Sequence, residues 1–178
     1  MEQSSFDFFR ELRANPRFQN IARPIIVADN LRTPENMGSV LRLAGNIGAV
    51  KTIFISETAH TFKNYKINRT ASGASEKTDW TIIKKVSQLQ ELIPYDYQII
   101  AIETASDAQN IFEFKFPEKV VFLIGNEVSG ISENPMAMAK KSVYIPIPGP
   151  VSSLNVTHAL SIATFEWLRQ RLHLSSGS

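Results

Sequence analysis

Cysteine is absent from the 178-residue chain, which excludes a disulfide framework and any zinc site built on thiolates. Histidine is scarce, three in all, so there is little material for a structural metal site. No apolar run approaches the roughly 20 residues that a membrane span needs. Residues 1–20 are polar and charged, without the apolar segment of a secretory leader, and a cytoplasmic protein is the expectation. Charge of one sign is also lacking: the net charge is +2 and the pI ≈ 8.9, which permits a nucleic-acid partner without arguing for one. Nine prolines and eight glycines are no excess. What is present, 43% apolar and 20% charged residues, suits one globular domain with a sizeable core.

The most informative stretch is 120–169. It opens as VVFLIGNEVSGIS, an apolar run ending in a glycine turn. It continues as VYIPIPGPVSSLNVTHAL, where proline fixes an extended backbone and SSLN supplies a helix-capping signal. Two turns, 125–130 and 146–153, therefore flank one short strand. Glycine permits close approach of a ligand to the backbone, and Asn126, Glu127, Ser129, Ser152, Ser153 and Asn155 add polar groups. The pattern reads as a ligand site made mainly of main chain.

Apolar runs predict strands at 24–30, 51–56, 80–85, 97–103, 119–125 and 142–147. A serine cap and Phe6, Phe9, Leu12 and Arg13 at helical spacing predict a first helix over 4–13. Pro34 opens a second, whose core face is Met37, Val40, Leu41, Ala44 and Ile47. Arg42 points away from that stripe, with Gly38 and Gly45 leaving a flank without bulk beside it. A short helix is expected over 87–93 and a long one over 155–172, striped by Val156, Ala159, Leu160, Ala163 and Trp167. The polar stretch 57–79 reads as a long loop or a short helix. Within it His60, Lys63, Lys66 and Arg69 alternate with Phe62 and Tyr65, a pattern suited to phosphate contact and base stacking. Strands alternating with helices imply an α/β domain with a mostly parallel sheet covered on both faces. Ligands in such sheets bind beyond the carboxyl ends of the strands, where all these turns fall.

Other chemistries lack their signatures. GNEVSG is not followed by Lys-Ser/Thr, as a Walker loop would require. Neither it nor GNIGA has dinucleotide-binding spacing, and there is no Gly-x-Ser-x-Gly elbow. His158 reads as a helix histidine facing a neighbour.

ENMGSVLRLAGNIGA, GNEVSG, IPIPG and SSLNVTHA, taken together and in order, resemble the three motifs of the SPOUT superfamily in its TrmH (SpoU) branch. Those proteins are RNA 2′-O-ribose methyltransferases that use S-adenosylmethionine. The resemblance spans roughly 24–172. It implies a C-terminal trefoil knot, a homodimer whose interface adjoins the site, tRNA or rRNA as partner, and no metal. It implies a catalytic role for Arg42, with Asn36, Glu127, Ser153 and Asn155 holding the arginine and the substrate. Donor contacts fall to Thr104, Ala105, Gly125, Asn126, Glu127, Gly130, Ile145, Ile147 and Leu154. Arg42 either accepts the 2′-hydroxyl proton or binds phosphate and stabilises the alkoxide. Lys63, Lys66 and Arg69, with Arg10, Arg13 and Arg17 on the first helix, are candidates for RNA contact. Phe6, Phe9 and Trp167 are candidates for the dimer interface. The expected layout is a helical extension over 1–20, the methyltransferase domain over 21–173 and a disordered tail over 174–178. The rival is a donor-binding RNA module without turnover.

Overall fold

The computed structural model describes residues 4–174 and is built on one sheet of seven strands. In chain order these are β1 (Ile25–Asp29), β2 (Lys51–Ile55), β3 (Trp80–Ile83), β4 (Gln98–Ile102), β5 (Gln109–Asn110), β6 (Val120–Ile124) and β7 (Lys141–Tyr144). They lie in the order β3-β2-β1-β6-β4-β7-β5, and each recorded pairing is parallel. β5 is the one strand without a sequence signal, being two polar residues that pair with β7. The helices are α1 (Ser5–Ala14), α2 (Pro16–Gln19), α3 (Pro34–Ile47), α4 (Asn64–Ala71), α5 (Leu89–Leu92), α6 (Glu133–Met136) and α7 (Val156–Leu174).

β6 is apolar throughout and β1 is apolar up to Asp29, because both faces are covered. Successive side chains point to opposite faces. Ile26, Ala28, Phe122 and Ile124 enter the core that α3, α4 and α7 close. Ile25, Val27, Val121 and Leu123 enter a second core with Leu89 of α5. Thr33 caps α3, its hydroxyl accepting from the Asn36 N–H at 3.2 Å, and Pro34 occupies the first turn, where its missing N–H has no consequence.

The stretch 57–79 is mostly helical rather than a loop: α4 sits between two single 3-10 turns, Ala59–Thr61 and Ala74–Glu76. Ile67 and Ala71, four apart, are its buried face. α4 lies so close to α3 that a Cβ on Gly38 would stand 1.9 Å from Thr70 Oγ1 and 2.3 Å from the Ile67 carbonyl oxygen. Ala74 and Thr78 lie 3.5 Å from a Cβ built on Gly45. The bulk-free flank of α3 is thus taken by a neighbouring helix and is not open space beside Arg42.

α7 buries Leu160, Ala163 and Trp167. Trp167 is wholly enclosed, edge-on to Phe122, and its indole N–H donates to the carbonyls of Pro117 (3.1 Å) and Glu118 (3.3 Å). It is a core anchor, not the outward apolar surface expected of it; Phe165 is the half-exposed aromatic on this helix. Gln170 completes the clamp, accepting from Phe116 N–H at 3.0 Å and donating to the Phe114 carbonyl at 2.9 Å. α1 is capped by Ser4 and leaves Phe8 and Phe9 half exposed as an edge-to-face pair. The Phe6 side chain lies outside the described residues, as does the expected tail apart from Leu174, whose backbone ends α7.

Candidate functional site

A cavity of ≈ 240 Å³ opens beyond the carboxyl ends of β4, β6 and β7. Of the residues expected to contact a donor, Thr104, Gly125, Asn126, Glu127, Gly130, Ile145, Ile147 and Leu154 line it, together with Ser152 and Ser153. Ala105 does not. It belongs to the turn after β4, where its N–H donates to the Glu103 carbonyl at 3.1 Å.

The 125–131 loop is a closed ring pinned to β1. Asn126 and Gly130 exchange backbone hydrogen bonds of 2.8 and 3.0 Å. Asn126 Oδ1 accepts from the N–H groups of Val128 (2.9 Å) and Ser129 (3.2 Å), while its Nδ2 donates to the Asn30 carbonyl at 2.7 Å. A Cβ on Gly125 would meet the Gly130 carbonyl carbon at 2.2 Å and the Ile131 nitrogen at 2.3 Å. Glycine at 125 is therefore required by the chain's own closure, and the same residue lines the cavity. Below the ring, buried Asp29 accepts from Ser132 N–H at 2.7 Å and from Asn30 Nδ2 at 2.8 Å. Asn30 holds a left-handed φ of 51°, a conformation that asparagine tolerates better than most residues.

Glu127 joins this ring to the start of α3. Its Oε2 accepts from Arg32 N–H at 3.0 Å and its Oε1 accepts from Asn36 Nδ2 in a short hydrogen bond. A carboxylate is favoured there by the positive end of the helix. The expected pair Asn36 and Glu127 is thus in direct contact, and Ser153 lines the cavity together with Glu127. Asn155 is turned elsewhere: its Oδ1 caps α7, accepting from the Thr157 N–H (2.8 Å) and hydroxyl (2.6 Å).

Arg42 is exposed on α3 and lies outside the cavity lining. It stands about 9 Å along the helix from Asn36, at 1.5 Å per residue. Among the described residues it makes no hydrogen bond or ion pair, so Asn36, Glu127, Ser153 and Asn155 do not hold it within the chain.

The basic candidates lie on or beside three helices, α1, α2 and α4. Lys63 precedes α4, which carries Lys66 and Arg69 beside exposed Tyr65. Arg69 reaches Glu35 at 3.6 Å, tying α4 to the first turn of α3. Phe62 is half-buried against the core, and the His60 side chain lies outside the described residues. Arg10 pairs with Asp7 at 2.9 Å, Arg13 is exposed near the end of α1, and Arg17 is exposed on α2. A polar hollow beyond β1, β2 and β3 lies between Asn30, Thr58, Lys84 and Ser132. Among the described residues there is no group of three or more metal-ligating side chains. No helix among them is long and apolar enough to cross a membrane.

Sequence reasoning missed Glu103, Asp29 and Asn30. All three stand at carboxyl ends of predicted strands, and a charged or amide residue closing an apolar run is the signal that could have found them.

The description "SpoU rRNA Methylase family" matches residues 23–165. A tRNA (guanosine(18)-2′-O)-methyltransferase of Aquifex aeolicus (strain VF5) is 30% identical over 151 residues, 83% of this chain and 69% of that protein. A 23S rRNA (guanosine-2′-O-)-methyltransferase RlmB of Xylella fastidiosa (strain 9a5c) is 28% identical over 148 residues, 83% of this chain and 59% of that protein. The crystal structure of the SpoU methyltransferase AviRb from Streptomyces viridochromogenes with the cofactor AdoMet superposes with a TM-score of 0.74 at 25% identity, covering 83% of this chain and 57% of AviRb. The chain therefore spans less than two thirds of the length of some of its relatives.

Proposed function

The chain belongs to the SpoU rRNA Methylase family, and on that premise we propose that it methylates a ribose 2′-hydroxyl in tRNA or rRNA, with S-adenosylmethionine as donor. The cavity beyond β4, β6 and β7 carries this reading. Ile102, Val143, Ile145, Ile147, Leu154 and Val156 offer apolar faces that suit an adenine ring. Glu103, Thr104, Asn126, Ser152 and Ser153 offer hydrogen-bonding groups that suit a ribose and an amino acid tail. That mixture, on a rigid ring of main chain, fits the donor. When bound, S-adenosylmethionine supplies an electrophilic methyl group on a sulfonium.

The chain's own residues supply position and charge. Alignment of two reactants alone can lower a barrier by about 7–11 kcal/mol. Glu127 and Asn36 fix the edge of the cavity against α3. Arg42 carries a planar guanidinium, a cation with five N–H donors. In this reading it binds the RNA phosphate and stabilises the alkoxide as the 2′-hydroxyl proton passes to water. Its freedom from partners in the protomer leaves the guanidinium available for that task. Ser153 and Asn155 shape the turn that faces the acceptor. Lys63, Lys66 and Arg69 of α4, with Arg10 and Arg13 of α1, contact the RNA backbone.

The same reading makes the active form a homodimer. Val128 and Val151 are 74% and 67% exposed beside the cavity, and Phe8 and Phe9 are 50% and 52% exposed on α1. These apolar surfaces call for cover. It also places the protein in the cytoplasm, reads 1–20 as an extension of a domain over 21–173, and gives the chain a trefoil knot. The order β6-β4-β7, in which the chain crosses β4 between consecutive strands of the motif region, supports the knot.

Calorimetry with S-adenosylhomocysteine tests the reading. One site per protomer is expected, lost in Leu154→Arg and kept in Lys63→Ala. Absence of binding to the wild-type chain contradicts it.

A further inference from the structure

We propose that Glu103 selects the donor by accepting hydrogen bonds from its ribose hydroxyls, an assignment that rests on reading the cavity as the S-adenosylmethionine site. Glu103 directly follows β4 and lines the cavity beside Thr104, Gly125 and Gly130. Its carboxylate is fixed from two sides. Oε1 accepts from the Thr104 N–H at 2.9 Å, with the Thr104 hydroxyl at 3.4 Å, and Oε2 accepts from the Ile131 N–H at 3.2 Å. A Cβ on Gly130 would stand 2.5 Å from Oε2, so glycine at 130 is what leaves the carboxylate its place.

Both backbone partners are donors. A glutamine could satisfy one with its oxygen but would set its NH₂ against the other, so an acceptor on both sides is required. An ionised carboxylate has about four acceptor positions, and the loop uses only part of them. Among the described residues no cation pairs with Glu103. The other carboxylate on the cavity wall, Glu127, is turned to Arg32 and Asn36. The cavity thus presents one rigid, acceptor-only group with capacity left over. Two vicinal hydroxyls are adjacent donors that match its two oxygens. The arrangement is physically akin to an acidic residue meeting ribose beyond a parallel strand in dinucleotide-binding folds. The donor's ammonium group could also meet a carboxylate, and the test separates the two.

The experiment is a calorimetric square on the full chain: wild type, Glu103→Gln and Glu103→Ala against S-adenosylhomocysteine, its 2′-deoxy and 3′-deoxy analogues, and an analogue without the amino group. Losing a hydroxyl should weaken wild-type binding about tenfold or more, the range for hydrogen bonds to charged groups. In either variant the same change should cost less than threefold. Equal costs in wild type and variants overturn the proposal and leave Glu103 a loop support. Coupling to the amino-less analogue instead overturns it in favour of the ammonium. If both variants fail to fold, the wild-type arm decides, since a loss below threefold for both deoxy analogues is fatal. Failure of the wild type to bind S-adenosylhomocysteine at all would remove the donor reading itself, a different outcome.

Discussion

Arg42 shows how little a single side chain need contribute to the fold for it to be required by the proposed reaction. It is exposed, without a partner among the described residues and clear of the buried stripe of α3. Arg42→Ala should change stability by no more than about 0.5 kcal/mol and leave S-adenosylhomocysteine affinity intact. Single-turnover methylation should fall about a hundredfold or more, the usual effect of losing an oriented charge donor. Near-normal turnover would remove its catalytic role, and unfolding would reassign it to structure. Glu166 is the opposite case. It is buried on α7, and its pKa lies below the ordinary glutamate value, chiefly because Arg169 hydrogen-bonds it at 2.8 Å; burial opposes this and Gln170 adds to it. A depressed folded-state pKa means that the stabilisation is present above the unfolded value and lost as pH falls through the folded one. Glu166→Gln should therefore be less stable than wild type at neutral pH, with the gap closing in acid below the ordinary glutamate range. Urea titrations across that window check it, and a constant gap would contradict the linkage.

At the scale of elements, close approach decides what can change. Gly38→Ala must push α4 off α3, because one of the atoms it meets is the Ile67 backbone carbonyl. Overpacking of this kind typically costs about 1–3 kcal/mol, and removing the Thr70 hydroxyl should not restore the loss; a denaturant midpoint equal to wild type would show that the helices yield freely. Gly125→Ala should disrupt the ring and donor binding together, for the same reason. α4 itself should serve RNA. Lys63→Ala with Lys66→Ala should weaken RNA binding and lower the slope of log affinity against log salt by about 1.4–1.8, at 0.7–0.9 per phosphate contact, with donor affinity unchanged. An unaltered slope would make α4 an ordinary solvated helix.

The legibility of these elements follows from how each is held. Five of the six longer strands are built on apolar runs and β7 (KSVY) leads into the Ile-Pro stretch, and α3 and α7 have long stripes with clear caps, so their places can be read directly. α4 has only Ile67 and Ala71 to bury and is fixed by the space that Gly38 leaves on another helix, which no local pattern reveals. The cavity residues around 125–130 and 145–154 were legible because glycine and proline constrain backbone locally. Glu103 was not, because its partners are N–H groups of Thr104 and Ile131, the second distant in sequence. Trp167 fitted both the stripe of α7 and an outward surface, and only its tertiary clamp on 117–118 puts it in the core; Asn155 caps α7, a local role that SSLN signals.

For the whole molecule, the seven strands divide at the β1–β6 pair. The cavity proposed for the donor lies beyond β4, β6 and β7, while α3 and α4, with their cations, lie on the β1 side. Glu127 bonding to Arg32 and Asn36 spans that divide, and in the proposed reaction donor and acceptor meet there. Sedimentation at micromolar concentration should show a dimer, and Val128→Arg with Val151→Arg should dissociate it and reduce turnover. A fully active monomer would contradict the proposed assembly.

The central claim is methyl transfer to a ribose hydroxyl. The most direct measurement incubates the purified chain with isotopically labelled S-adenosylmethionine and total tRNA and rRNA, digests the RNA, and identifies the labelled nucleoside by mass spectrometry. The account predicts a 2′-O-methylated nucleoside at a defined position, formed by wild type and reduced about a hundredfold or more in Arg42→Ala. Label on a base, or donor binding and RNA binding with no transfer at all, would contradict it, and the second result would establish the chain as a binding module instead.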